Sequence, residues 1–365
     1  MPAASANPEF PASRAGVSLG SKSLATDKRI DHRIRSLFAD IPIGPRPNVS
    51  SRDEILEAEK SELGLAIAAM QFQWADKLDN EIIAPSAGLR ITTESFVSSP
   101  DRNDIKVSYV RPDTNERLPC VYYIHGGGME MMSCFNGMYR AWAKILAARG
   151  VAVAMIDFRN CVRPSSTAEV APFPAGLNDC VSGVRWLHEQ ADVLNIDRNR
   201  IVVAGESGGG NLTIATGMRL MRDGDIDLIH GLYALCPFIA GEWPQSRFPS
   251  SVENNGLGLD LHSNHNAYAY GIDAFRARDP LAWPGFATVA DVRGLPPTVI
   301  SVNEFDPLRD EGVWLYRLLL EAGVPARGRE MLGTIHGTEV FHCCPDITAS
   351  TATDLAEFCR RARDG

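Results

Sequence analysis

An apolar run that passes straight into a serine ringed by glycines constrains this chain more than any other stretch. Residues 201–211 read IVVAGESGGGN. Ile201, Val202, Val203 and Ala204 have the continuous apolar character of a parallel strand buried on both faces, and Leu212 to Leu220 read as a helix. Joining the two takes a sharp turn. Gly205 and Gly209 leave room for it, Ser207 projects at its apex in a GxSxG arrangement, and the backbone N–H groups that follow point toward developing negative charge. A cluster of small residues also makes an ordinary tight turn, so it is the flanking strand and helix that favour a nucleophilic hydroxyl.

The pattern around this turn is that of an α/β protein. From Leu89 onward RITTESFV, IKVSYV and PCVYYI read as strands, followed by a helix over Gly137 to Arg149 and the strand VAVAMID. Further strands are expected at Arg200 to Ala204, Ile229 to Leu235, Thr298 to Val302 and Arg327 to Met331. Helices fall at about Ala175 to Gln190, Leu308 to Ala322 and Ser350 to Arg363. Such alternation predicts a mainly parallel central sheet covered on both faces.

Two regions stand outside that rhythm. Residues 1–25, rich in Ala, Ser, Pro and Gly, carry no pattern and are expected to lack fixed structure. Residues 26–88 place apolar positions at helical spacing over Ile30 to Phe38 and Arg52 to Leu78, separated by the breaker stretch IPIGPRPNVSS, and read as two or three amphipathic helices suited to a cap. Residues 240–279 form a second cap candidate, being too long for an ordinary strand connection. The core then comprises residues 89–239 and 280–365.

Composition narrows the function. A chain of 365 residues, 45% hydrophobic, can bury a large core. Its net charge of −9 comes from well-mixed charges with no basic run, which argues against nucleic acid and anionic membrane surfaces. No stretch has the length of a secretory signal or a membrane span, so a cytoplasmic protein is expected. The eight cysteines form no spaced framework. Cys120, Cys180 and Cys236 lie in or beside apolar runs and read as reduced core thiols. His262 and His265, three apart, lack further ligands, and so does His342 beside Cys343 and Cys344; no metal and no cofactor are expected.

A second chemistry-bearing motif, His125, Gly126, Gly127, Gly128, follows the apolar run Val121 to Ile124. Without side chains its backbone N–H groups can approach a substrate oxygen, forming an oxyanion hole, with His125 orienting the loop. Together HGGG, GESGGGN, LPPTVISVNEFDPLRDEG and the late IHG resemble the hormone-sensitive-lipase-like (bacterial family IV) carboxylesterases of the α/β-hydrolase superfamily, from about Leu89 to the C-terminus. The resemblance implies an α/β-hydrolase fold with a helical cap. It assigns oxyanion N–H groups to Gly127, Gly128 and Gly208, the acid to Asp306 and the base to His336, in the chain order Ser, Asp, His.

The residues support the same assignment. Asp306 follows the strand PTVISVNE within two residues, at the sheet edge where Ser207 emerges, whereas Asp310 lies a turn into the helix and is better placed to serve a helix N-terminus or loop. His336 sits between Gly333 and Gly337 in a loop; His342, the competitor, has no such hinge. Glu206 either holds the HGGG loop or is a solvated carboxylate. His336 would take the Ser207 proton, Asp306 would hold the imidazole, and the hydroxyl would attack an ester carbonyl to give an acyl-enzyme that water hydrolyses.

Departures from the family pattern bear on the substrate rather than the chemistry. Gly208 replaces a common alanine, Asp157 to Cys161 reads DFRNC in place of the usual run, and Thr338 stands where phenylalanine is usual. Met129, Met131, Met132, Trp243 and Phe248 are candidates for an apolar pocket lining or for plain packing. The capped family implies short-chain acyl esters. Amide, N-acetyl or lactone hydrolysis by the same triad is the alternative within the class, and a non-catalytic small-molecule receptor the alternative outside it. The expected partner is a small-molecule ester, with no nucleic acid or membrane; a homodimer is the candidate assembly.

Overall fold

The computed structural model describes residues 24–38, 44 and 46–361. Residues 1–23, most of the segment expected to lack fixed structure, lie outside them, as do part of the breaker stretch and Arg363. Three helices come first: α1 (His32–Phe38), α2 (Arg52–Lys60) and α3 (Glu62–Asp76). Then follow β1 (Leu89–Val97), β2 (Asp104–Pro112), β3 (Leu118–Ile124), α4 (Gly137–Ala147), β4 (Ala152–Ile156), α5 (Ala175–Glu189), β5 (Ile196–Glu206), α6 (Gly208–Asp223) and β6 (Gly231–Leu235). The remainder is α7 (Ser250–Glu253), α8 (His265–Arg276), α9 (Val289–Val292), β7 (Thr298–Asn303), α10 (Arg309–Glu321), β8 (Ala326–Met331), α11 (Thr338–Phe341) and α12 (Pro345–Arg360).

The strands form one eight-stranded sheet in the order β1-β2-β4-β3-β5-β6-β7-β8. β2 pairs antiparallel with β1 and β4, and every other pairing is parallel. The central strands are apolar throughout because both faces are covered. On β3, Tyr122 and Ile124 join the core packed under α5, α6 and α10, while Val121 and Tyr123 join the core under α4 and α12. The edges differ in character. β1 and β8 carry exposed polar positions, including Arg90, Ser95 and Arg327, which discourage pairing with a further chain.

The structure moves several expected boundaries. Of the two or three helices expected before the sheet, three form, the stretch from Arg52 to Leu78 being divided at Ser61, whose hydroxyl accepts from the Gly64 amide at 3.0 Å and starts a new helix. Helix α3 does not bury the apolar face that its spacing predicted: Leu63, Leu65 and Met70 are exposed, because its apolar residues are spread around the helix. Helix α12 begins at Pro345, five residues earlier than expected, since proline suits a first helical turn. Strand β5 starts at Ile196, pairing with Leu118 ahead of the apolar run.

The regions outside the sheet touch one another. The Asn264 side chain, at the start of α8, accepts from the Val49 amide at 2.8 Å and donates to its carbonyl at 2.9 Å. Ile30, Ile34 and Phe38 form a small core with Leu257, Phe305 and Ile335. The Asp31 amide donates to the Gly333 carbonyl at 2.9 Å. The N-terminal helices are therefore anchored both to residues 240–279 and to the loop that follows β8.

Candidate active site

Strands β5, β6, β7 and β8 run parallel, so the segments that leave their carboxyl ends converge on one edge of the sheet. Ser207 leaves β5 with φ 57° and ψ −120°, a conformation that costs energy for a residue with a Cβ. Its amide donates to the Leu235 carbonyl at 3.0 Å, and its carbonyl accepts from the Phe238 amide at 3.1 Å, so β6 and the chain after it hold the turn. Glycine at 209 is required by proximity. A Cβ there would lie 2.0 Å from the Ile124 carbonyl oxygen.

Asp306, fully buried, follows β7 and accepts the Leu308 amide at 2.9 Å on Oδ1. Its Oδ2 accepts from His336 Nδ1 at 2.7 Å. With that nitrogen protonated, Nε2 is left to accept from Ser207 Oγ, 2.9 Å away. Burial disfavours the imidazolium, but the Asp306 carboxylate and the Cys236 sulfur outweigh it and hold the His336 pKa well above the ordinary imidazole value. Asp310 points elsewhere: Oδ2 accepts the Ser250 amide at 2.7 Å, tying α10 to α7. His342 Nε2 donates to the Met138 carbonyl at 3.0 Å and its ring is buried against Trp142.

The glycine loop lies beside the serine. Gly127 and Gly128 have φ of +94° and +66°, and among the described residues no acceptor pairs with either amide. The Gly208 amide, in the first turn of α6, has no acceptor within its helix. Gly208 also sets the spacing, because a Cβ there would come within 2.6 Å of Met129 N and 2.9 Å of Gly128 Cα. Glycine at this position therefore lets the loop lie this close to the serine turn.

Glu206 is buried and holds this loop. Oε1 accepts from the Gly126 amide at 2.7 Å and from Tyr139 Oη at 2.6 Å, and Oε2 accepts from Tyr123 Oη at 2.6 Å. Burial raises its pKa to about 7 against the opposing pull of these donors. His125 is buried too, stacked on Phe158 at 4.3 Å, with Nδ1 donating to the Gly126 carbonyl at 2.9 Å.

Other partners were not foreseen from sequence. Glu130, just past the glycines, pairs with Arg46 at 2.6 Å and His265 at 3.3 Å. Burial alone would raise its pKa, but those two groups hold it down to about 2. Glu311 accepts from the Ile239 amide and from Trp243 Nε1, fixing the chain after β6. Cys236 lies beside His336, with burial pushing its thiol up to about 11 and His336 pulling the other way. The signal for it was its position directly after β6. Met129, Trp243 and Phe248 are buried in the core under α5, α6 and α10. His262 donates to the Ser251 carbonyl at 2.8 Å, away from His265.

Comparison with known proteins places the fold in a family. Residues 121–340 match the model of a family described as having the alpha/beta hydrolase fold. The chain is 32% identical to the carboxylesterase NlhH of Mycobacterium tuberculosis over 285 residues, covering 73% of this chain and 82% of that protein. Among solved structures, esterase Est22 is 58% identical with a TM-score of 0.91, covering 92% of this chain and 98% of that one. Brefeldin A esterase, a bacterial homologue of human hormone-sensitive lipase, is 35% identical with a TM-score of 0.80, covering 92% and 95%. With a fold, a sheet-edge serine site and relatives that agree, the chain belongs to the hormone-sensitive-lipase-like esterases of the α/β-hydrolase superfamily.

Proposed function

We propose that this chain is a serine carboxylesterase that hydrolyses short-chain acyl esters through Ser207, His336 and Asp306. The observation that carries the reading is the unbroken relay of 2.9 Å from Ser207 Oγ to His336 Nε2 and 2.7 Å from His336 Nδ1 to Asp306 Oδ2. His336 removes the hydroxyl proton as Ser207 Oγ bonds to the ester carbonyl carbon. Asp306 holds the tautomer and stabilises the imidazolium. The amides of Gly127, Gly128 and Gly208 receive the oxyanion, in a loop that Glu206 and His125 keep in place. The imidazolium then protonates the departing alkoxide, and a water activated by the same imidazole releases the acid.

The short-chain reading is supported by what pairs beside the glycine loop: Glu130, two residues past Gly128, pairs with Arg46 and His265 from the two segments outside the sheet, in keeping with a confined pocket. A nitrophenyl ester series from acetate to long acyl chains tests both parts. The expected kcat/KM is highest for short acyl groups and falls as the chain lengthens. A maximum at long chains would refute the specificity, and no turnover of any ester would refute the reaction.

A further inference from the structure

We propose that Cys236, His336 and Asp306 form an inhibitory site for a borderline-soft divalent cation, Zn2+ above all, so that the groups used for ester hydrolysis also serve as a metal trap. The proposal rests on the assignment of His336 and Asp306 as base and acid. Among the described residues, this is the one group of three or more such side chains that offers ligand atoms close enough together: sulfur, ring nitrogen and carboxylate oxygen lie within 4.8 Å of one another. Thiolate, imidazole and carboxylate are the ligand types zinc takes, and its tetrahedral preference leaves a fourth position for water or the neighbouring Ser207 hydroxyl.

The fold supplies the three ligands from separate strands. Cys236 follows β6, Asp306 follows β7 and His336 follows β8, so adjacent parallel strands deliver them to the same edge. The Cys236 amide donates to the Ser301 carbonyl of β7 at 2.7 Å, which fixes the thiol's position relative to the strand that carries Asp306. Capture needs no redox change. A metal–sulfur bond forms as the thiol proton leaves to solvent, a metal–nitrogen bond forms at His336 Nδ1 as its proton leaves to solvent and Nε2 carries the ring's remaining proton, and a metal–oxygen bond replaces the hydrogen bond that Asp306 Oδ2 accepts from that nitrogen. Bound metal and turnover exclude each other, because a metallated or displaced imidazole cannot take the Ser207 proton.

The site is distinguishable from Cys343 and Cys344, adjacent thiols whose sulfurs lie 3.9 Å apart and which also attract soft cations. The test is a titration of the full-length protein with Zn2+ during nitrophenyl acetate hydrolysis, paired with a Cd2+ titration followed by thiolate-to-metal charge-transfer absorption. Both are run on the wild type, Cys236→Ser and Cys343→Ser, and the Cd2+ titration also on Asp306→Asn and His336→Ala. Zn2+ should inhibit the wild type reversibly, with EDTA restoring the rate. Cys236→Ser, measured against its own uninhibited rate, should need at least roughly tenfold more Zn2+, since even outer-shell changes at zinc sites cost about that much. Cys343→Ser should behave as the wild type.

The Cd2+ band should be lost in Cys236→Ser and weakened in Asp306→Asn and His336→Ala, which reads the ligand set without relying on activity. Equal Zn2+ sensitivity in Cys236→Ser, or transfer of the effect to Cys343→Ser, would overturn the proposal. A Cys236-dependent band with undiminished esterase activity would leave the metal site standing and would count instead against His336 as the base.

Discussion

On the proposed mechanism the serine, histidine and aspartate act as one device, so their variants should be costly and non-additive. Ser207→Ala should lower kcat about a millionfold, and Ser207→Ala with His336→Ala should cost scarcely more than either alone. Asp306→Asn should lower kcat by about 10⁴ through the wrong imidazole tautomer, while Asp310→Asn, which alters the bond from the Ser250 amide and the ion pair with Arg309, should act on stability. Stopped-flow rates and urea midpoints on purified variants separate the two; reversed effects would move the acid to Asp310. The raised His336 pKa carries a signed expectation. A proton held above the usual imidazole value of about 6.5 keeps the base loaded until the pH passes that higher value. The acid limb of the kcat/KM profile should therefore lie above about 6.5 and move down in Asp306→Asn; a wild-type limb below 6 would contradict it. Gly208→Ala makes a steric expectation. Its Cβ must push back Met129 and Gly128, so kcat should fall by up to about 10²–10³, the range for losing one oxyanion donor. In sequence, Ser207 and Asp306 stand out because each follows an apolar strand that ends in turn residues; β8, ahead of His336, is polar, and the histidine stands out only through Gly333 and Gly337 around it. Cys236 does not stand out, since an apolar neighbourhood reads as core whether or not a histidine folds over it. Glu206 was left between two roles because its phenolic partners, Tyr123 and Tyr139, lie 83 and 67 residues away in the chain.

At the scale of elements, the first helix does more than cover the sheet. Ile30 and Ile34 pack against Ile335, next to His336, and the Asp31 amide holds the Gly333 carbonyl at the start of the same loop. Removing residues through Phe38 should therefore loosen the loop from Gly333 to His342 and lower kcat, with amide exchange rising there. Unchanged kcat and exchange would show that α1 only covers. The sequence marked α1 to α3 as lying outside the sheet through their period and the breaker stretch. It did not mark what they touch, since packing between segments hundreds of residues apart leaves no periodic signal.

For the molecule as a whole, the parallel sheet was read correctly from alternation, because strands buried on both faces must be apolar throughout. The segment DFRNC shows where such reading stops. Arg159 is a charged residue in a buried position, and only the structure shows that its Nε and Nη2 each reach Asp179 at 2.8 Å. Breaking a buried pair leaves an uncompensated charge and costs about 3–5 kcal/mol, whereas removing both partners costs much less. Arg159→Met or Asp179→Leu alone should lower the urea midpoint clearly, and the double variant should recover much of the loss; a double variant as unstable as the sum would contradict this.

The central claim is that Ser207 is the nucleophile, and covalent trapping tests it most directly. The folded enzyme is treated with a fluorophosphonate and digested, and the labelled residue is located by mass spectrometry. A single stoichiometric adduct on Ser207, appearing as activity disappears and absent from folded Ser207→Ala, is the predicted result. Labelling at another residue, or full turnover in Ser207→Ala, would contradict the account.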